Sequence, residues 1–245
     1  MTDRLKNSIE RLYNTFQKYP SGPTMVGSPH YEDLADWNRS LFQKPLRELT
    51  SDDLSRFTGK AITTWGNSED YKHFLPRIFE LVAELSAPYS IEIAFGKLSL
   101  AKWEDWEGEE QGQVHEFMIS LWDNLVNDSS PKAEWEFKEY FAVIGQYYPR
   151  FRDLLDIWAQ AESKAAIQHL AKFLIEDKTA IFDKKKISGF QDQTENIEPF
   201  ISWILSDTML NKVQQKYFEF EAEPFAQEVS WAEQIITNER KRIVP

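Results

Sequence analysis

Asp3-Arg4-Leu5-Lys6-Asn7-Ser8-Ile9-Glu10-Arg11-Leu12-Tyr13-Asn14-Thr15-Phe16 opens the chain. Leu5, Ile9, Leu12 and Phe16 recur at three and four residues, which is one apolar stripe of an amphipathic helix. The same period runs through most of the sequence. It predicts a short helix around 31–42 and another before Leu49. Thr50 or Ser51 can cap the next, with Asp52 and Asp53 suited to its first turn; it is expected to reach Trp65 and stop at Gly66. Ser68, Glu69 and Asp70 start a further helix, and Pro76 predicts a break or kink before a fresh segment through Ile78, Leu81, Val82 and Leu85. Helices are also expected near 90–103, 109–126, 132–146, 150–160, 163–176, 195–205, 207–219 and 224–240.

Strand signals are absent: there is no Asn-Gly or Asp-Gly turn and no run of apolar–polar alternation. Pro20, Gly22, Pro23, Gly27 and Pro29 mark an irregular loop over 20–30. A second loop, with a lysine run at Lys184, Lys185 and Lys186, is expected over 178–194. The fold expected is all-α, with short connections that favour antiparallel helix pairs in one domain over 1–245. Trp122, Trp158 and Trp203 lie on similar apolar stripes 36 and 45 residues apart. Those intervals fall near the length of a helix-pair repeat, so the packing is either an irregular bundle or HEAT-like.

The chain has 245 residues, 40 acidic against 28 basic, a net charge of −12, and no cysteine. That length supports a substantial core. The composition excludes a disulfide scaffold, a thiol enzyme and a wholly disordered chain. An acidic balance disfavours nucleic acid as a partner, because phosphate recognition needs a basic surface. No stretch approaches the roughly 20 apolar residues of a membrane span. The N-terminal residues lack the apolar core of a signal peptide, so a cytoplasmic protein is expected. The charge is concentrated: residues 101–140 hold eleven acids and three bases, and 191–230 hold eight acids and two bases.

Catalytic signatures are missing. No GxSxG, P-loop, GxGxxG or EF-hand loop occurs, and His115-Glu116 fails as a zincin motif because Ile119 stands at the second histidine position. Glu69 and His73 share a helix face, a pair able to hold a metal or orient a base, but no second pair accompanies them. No metal, no cofactor and no enzymatic activity are therefore expected.

The segment Trp103-Glu104-Asp105-Trp106-Glu107-Gly108-Glu109-Glu110 is the most unusual in the chain. Two readings stand side by side. Trp103, Glu104, Asp105, Trp106, Glu107, Glu109 and Glu110 form either an aromatic–acidic face for a basic protein, or two core indoles with acids in the first turn of the next helix.

Three strings resemble a family of uncharacterised bacterial proteins: Thr63-Thr64-Trp65-Gly66, His73-Phe74-Leu75-Pro76-Arg77-Ile78, and Gly96-Lys97-Leu98 followed by Trp103 and Trp106. They span roughly residues 50–125, about a third of the chain. The resemblance implies a bacterial, soluble, all-helical protein and transfers no activity to any residue. From the residues themselves, the role expected is protein binding through an acidic helical surface, as a scaffold, an adaptor or an immunity-type protein. The alternatives are a small-molecule binder with an aromatic-lined pocket between helices and, ranked below it, an enzyme whose site gathers ionisable groups from distant residues, His73 or His115 among them.

Overall fold

Side-chain caps set where the helices begin. Thr50 accepts a hydrogen bond from the Asp53 amide while the Asp53 carboxylate accepts one from the Thr50 amide. Asn67 and Asp70 make the same reciprocal arrangement. Single hydroxyl caps come from Thr2, Ser90, Ser130, Ser163 and Ser206. Each satisfies backbone donors that the first helical turn leaves without a partner.

The computed structural model describes residues 1–190 and 193–243, which form twelve α-helices and no strand. In chain order they are α1 (Asp3–Phe16), α2 (Leu34–Leu41), α3 (Ser51–Lys60), α4 (Ser68–Ala83), α5 (Ile91–Leu100), α6 (Gly108–Val126), α7 (Pro131–Tyr147), α8 (Phe151–Gln160), α9 (Lys164–Lys178), α10 (Ile197–Ile204), α11 (Asp207–Glu219) and α12 (Ala226–Ile243). The fold is all-α, with packing compatible with a bundle. Among the described residues no helix is long and apolar enough to cross a membrane. Within the span expected as one domain, the chain falls into two compact units, Met1–Leu121 and Trp122–Pro245, and the division lies inside α6.

In the first unit α1 packs on α4, and α4 on α3 and α5. Phe79 stacks against Phe95 and Phe117, each 4.9 Å between ring centroids, and all three are fully buried. Full burial of one such ring is worth about 1.5–3 kcal/mol.

In the second unit α9 packs on α12, α11 on α12, and α8 on α10. Trp158 lies 5.5 Å from both Trp122 and Trp203, so the three spaced indoles converge on one core. Trp122 and Trp158 donate their Nε1–H to the carbonyls of Leu154 and Ala166.

Two boundaries differ from expectation. α4 runs through Pro76 as one helix. Tyr71, Phe74 and Leu75 before the proline and Ile78, Phe79 and Val82 after it are all buried, and that packing outweighs the roughly 3 kcal/mol a mid-helix proline costs. α3 stops at Lys60, short of Trp65. Ile62 takes a left-handed φ of 69°, its amide donates to the Trp65 carbonyl, and Trp65 makes isolated bridges to Gly27 and Ala61. The Trp65 indole donates to Asn38 Oδ1, and that pull into tertiary contact turns the chain early. In the loop expected over 178–194, a π-helical turn covers Thr179–Asp183, while residues 191 and 192 lie outside the described residues.

Candidate functional site

The acidic stretch divides by burial. Trp103 and Trp106 are buried, so both indoles pack inward, and Trp106 donates its Nε1–H to the Ala101 carbonyl. Glu110 is fully buried as well. It accepts from Lys72 Nζ at 2.7 Å and from the Tyr19 hydroxyl, and pairs with Lys18 Nζ at 3.0 Å. Burial raises its pKa, but the hydrogen bonds from Lys72, Tyr19 and Lys18 outweigh that effect and hold the carboxyl below its ordinary value. The Lys72 ammonium also lies over the Trp106 and Tyr19 rings, at 4.3 and 4.6 Å.

Glu104, Asp105, Glu107 and Glu109 remain exposed. Glu107 pairs with Lys18 at 2.8 Å, whereas Glu104, Asp105 and Glu109 make no ion pair among the described residues. Farther along the acidic block, Glu116 pairs with Arg4 and Arg11, and Glu134 with Lys172.

A concave site forms elsewhere, where α2 and α3 meet the turn before α5. It is an open groove of about 720 Å³. Trp37 of α2 lines it, with its ring 4.8 Å from that of Tyr31 and 5.5 Å from that of Trp65. The Arg56 guanidinium lies 4.6 Å from the Trp37 ring and the Lys60 ammonium 5.9 Å from it. Arg56 and Lys60 stand one helical turn apart on α3, so both heads reach the same side of the helix. Neither makes an ion pair among the described residues. Lys60 instead donates to the Tyr31 hydroxyl at 2.9 Å, the hydroxyl donates to Thr64 Oγ1, and hydrogen bonding with Lys60 first and Thr64 second lowers the pKa of the phenol.

Tyr89 lines the same groove and is 68% exposed, although its backbone holds a left-handed φ of 73°. A bulky residue in that region is strained by about 1–2 kcal/mol. Its ring lies over Gly59, where an added Cβ would stand 3.2 Å from it. Below, buried Lys97 donates to the Gly59 carbonyl at 3.0 Å, and burial pulls its pKa down. Trp65 is buried and forms part of the wall, fixed by Asn38, which in turn donates to the Met25 carbonyl. Asp53 at the rim belongs to the α3 cap and pairs with Lys44; that ion pair and the bonds from Thr50 bring its pKa to about 2.

The remaining sequence candidates are dispersed. His73 bonds the Tyr19 carbonyl through Nδ1, and His115 packs edge-on against Trp103. Among the described residues no three His, Cys, Asp or Glu side chains are grouped to hold a metal. Lys184 and Lys186 are exposed, and Lys185 pairs with Glu198.

Trp37, Arg56, Lys60 and Tyr89 drew no attention as a set in the sequence, because they come from three separate segments. The one local signal is the like-charge spacing of Arg56 and Lys60, which destabilises an isolated helix. No known protein family, curated protein or solved structure matches the chain.

Proposed function

We propose that the first unit is a binding module for a small organic anion that carries a flat ring. The observation that carries this reading is the pair Arg56 and Lys60. Two like-charged heads approach one indole in an open groove, neither with an ion-pair partner among the described residues, in a chain whose net charge is −12. Of the two carboxylates that line the same groove, Asp53 is taken by Lys44 and Asp52 is left in the first turn of α3. Guanidinium and ammonium groups recognise carboxylate or phosphate, and Arg supplies a fork matched to either. Trp37 and exposed Tyr89 supply ring faces, and the groove volume lies in the usual range for small-molecule sites.

Phenyl phosphate and benzoate are the probes, titrated calorimetrically at 50 and 300 mM salt. Saturable binding weakened by salt is expected. Arg56→Gln should weaken it about 10- to 100-fold, the worth of a charge-assisted hydrogen bond. Affinity unaltered by Arg56→Gln and by Tyr89→Ala would rule the groove out.

One observation favours a second reading, a docking face for a basic protein: Glu104, Asp105 and Glu109 are exposed and make no ion pair among the described residues. Amide substitution of Glu104, Asp105, Glu107 and Glu109, with Glu110 left intact, should then weaken a basic partner without altering the unfolding midpoint. Unchanged partner affinity would dismiss it.

A further inference from the structure

The second unit holds a smaller cavity, of about 160 Å³, lined by side chains of α7 and α9. Phe137, Phe173 and His169 supply its rings. Trp135 also lines it and is 83% exposed, the opposite of the other indoles in this unit's core. His169 stacks on Phe137 at 4.2 Å and is itself buried.

Its hydrogen bonding fixes its chemistry. Nε2 lies 2.9 Å from the Asp128 carbonyl, which only accepts, so Nε2 carries the proton. Burial lowers the pKa of the ring and keeps it neutral near pH 7. Nδ1 is then an acceptor. It makes no hydrogen bond among the described residues, and His169 is one of the residues that line the cavity.

The charged side chains around this cavity are mutually neutralised. Lys172 pairs with Glu134 at 2.8 Å, and Lys138 with Glu176 at 3.2 Å and Asp177 at 3.1 Å. No lone cation invites an anion here, in contrast to the groove beside Trp37. Size narrows the ligand further: the volume is close to the roughly 150 Å³ that accepts one benzene ring in an apolar protein cavity, while here Glu134, Lys138, Lys172 and Glu176 make half of the lining residues charged.

We infer that this cavity binds a single neutral aromatic ring bearing one hydrogen-bond donor, phenol being the simplest case, with the donor on His169 Nδ1 and Trp135 at the entrance. The inference rests on no residue of the anion groove, so either can fail without the other.

The test uses the full chain labelled with ¹⁵N-histidine and titrated with phenol, then with benzene. Phenol should bind saturably and move the His169 Nδ1 resonance upfield, as acceptance of a hydrogen bond requires. Benzene, which fits but cannot donate, should bind about fivefold more weakly, the worth of one net hydrogen bond. Trp135→Ala, at an exposed position that the fold does not need, should weaken phenol several-fold, while Arg56→Gln should leave it unchanged. No saturable phenol binding, equal affinity for benzene, or phenol binding that leaves Nδ1 unmoved would each overturn the inference.

Discussion

Replacing Glu110 by Gln tests the buried ion pair that turns the acidic segment inward. The carboxylate is fully buried, and its main partner, Lys72, has a side chain only 11% exposed. Removing the charge leaves the Lys72 ammonium with the Tyr19 hydroxyl at 3.1 Å and two aromatic faces, but with no counterion of its own. Breaking a buried pair on one side costs about 3–5 kcal/mol, and the cation–π contacts that persist retain about 1–2 of that. The expected loss is therefore about 3 kcal/mol.

Lys72→Met should cost less, about 1–2 kcal/mol, because Glu110 keeps Lys18 and Tyr19. The double variant should cost clearly less than the sum, since no uncompensated charge remains on the Lys72 side. Urea unfolding, followed by hydrogen exchange in peptides from α4, reads the first unit by itself. The sign with pH follows from the lowered Glu110 pKa: the stabilisation is present above the ordinary carboxylate range and is lost as pH falls through the lowered value. Glu110→Gln should flatten that part of the profile. Single variants within about 0.5 kcal/mol of the parent, or strictly additive effects, would refute the reasoning.

Other substitutions follow from the same geometry. Gly59→Ala should stabilise α3 by up to about 1 kcal/mol in thermal unfolding, because exposed Tyr89 can shift the few tenths of an ångström needed, while ring-anion affinity falls as that ring moves. Gly145→Ala should destabilise the second unit by about 1–3 kcal/mol in urea, since the new Cβ would stand 2.6 Å from the ring of buried Phe190. Asp53→Ala removes half of the α3 capping box and should cost about 1 kcal/mol at pH 7. The Asp53 pKa is depressed to about 2, so its contribution is present above the usual aspartate range and disappears as pH falls through about 2; the difference between parent and variant should vanish there.

Much of the fold was legible because it is written locally. Leu5, Ile9, Leu12 and Phe16 all bury on α1, as their spacing required, and Thr50 caps α3 with Asp53 in the reciprocal role. Where reading failed, tertiary contact had overridden a local rule. Pro76 does not break α4, since apolar residues bury on both sides of it, and Gly66 does not end α3, since Trp65 is drawn away to Asn38 and Gly27. The acidic segment contained both of its possible fates, and partners far upstream, Lys72 together with Lys18 and Tyr19, hold Glu110 inward. The groove was illegible for a related reason. Trp37, Arg56 and Tyr89 have no fixed spacing that chemistry demands, and the left-handed backbone at Tyr89 has no glycine or asparagine to announce it.

Nine tryptophans make the central claim directly observable. The indole ¹H–¹⁵N resonances of the full chain, assigned by single Trp→Phe variants, can be followed while phenyl phosphate is added. Binding in the groove predicts a saturable shift of Trp37, a smaller one of Trp65 behind it, and none of Trp103, Trp106, Trp122 or Trp158. Saturable shifts that spare Trp37, or no shift at millimolar ligand, would contradict the account.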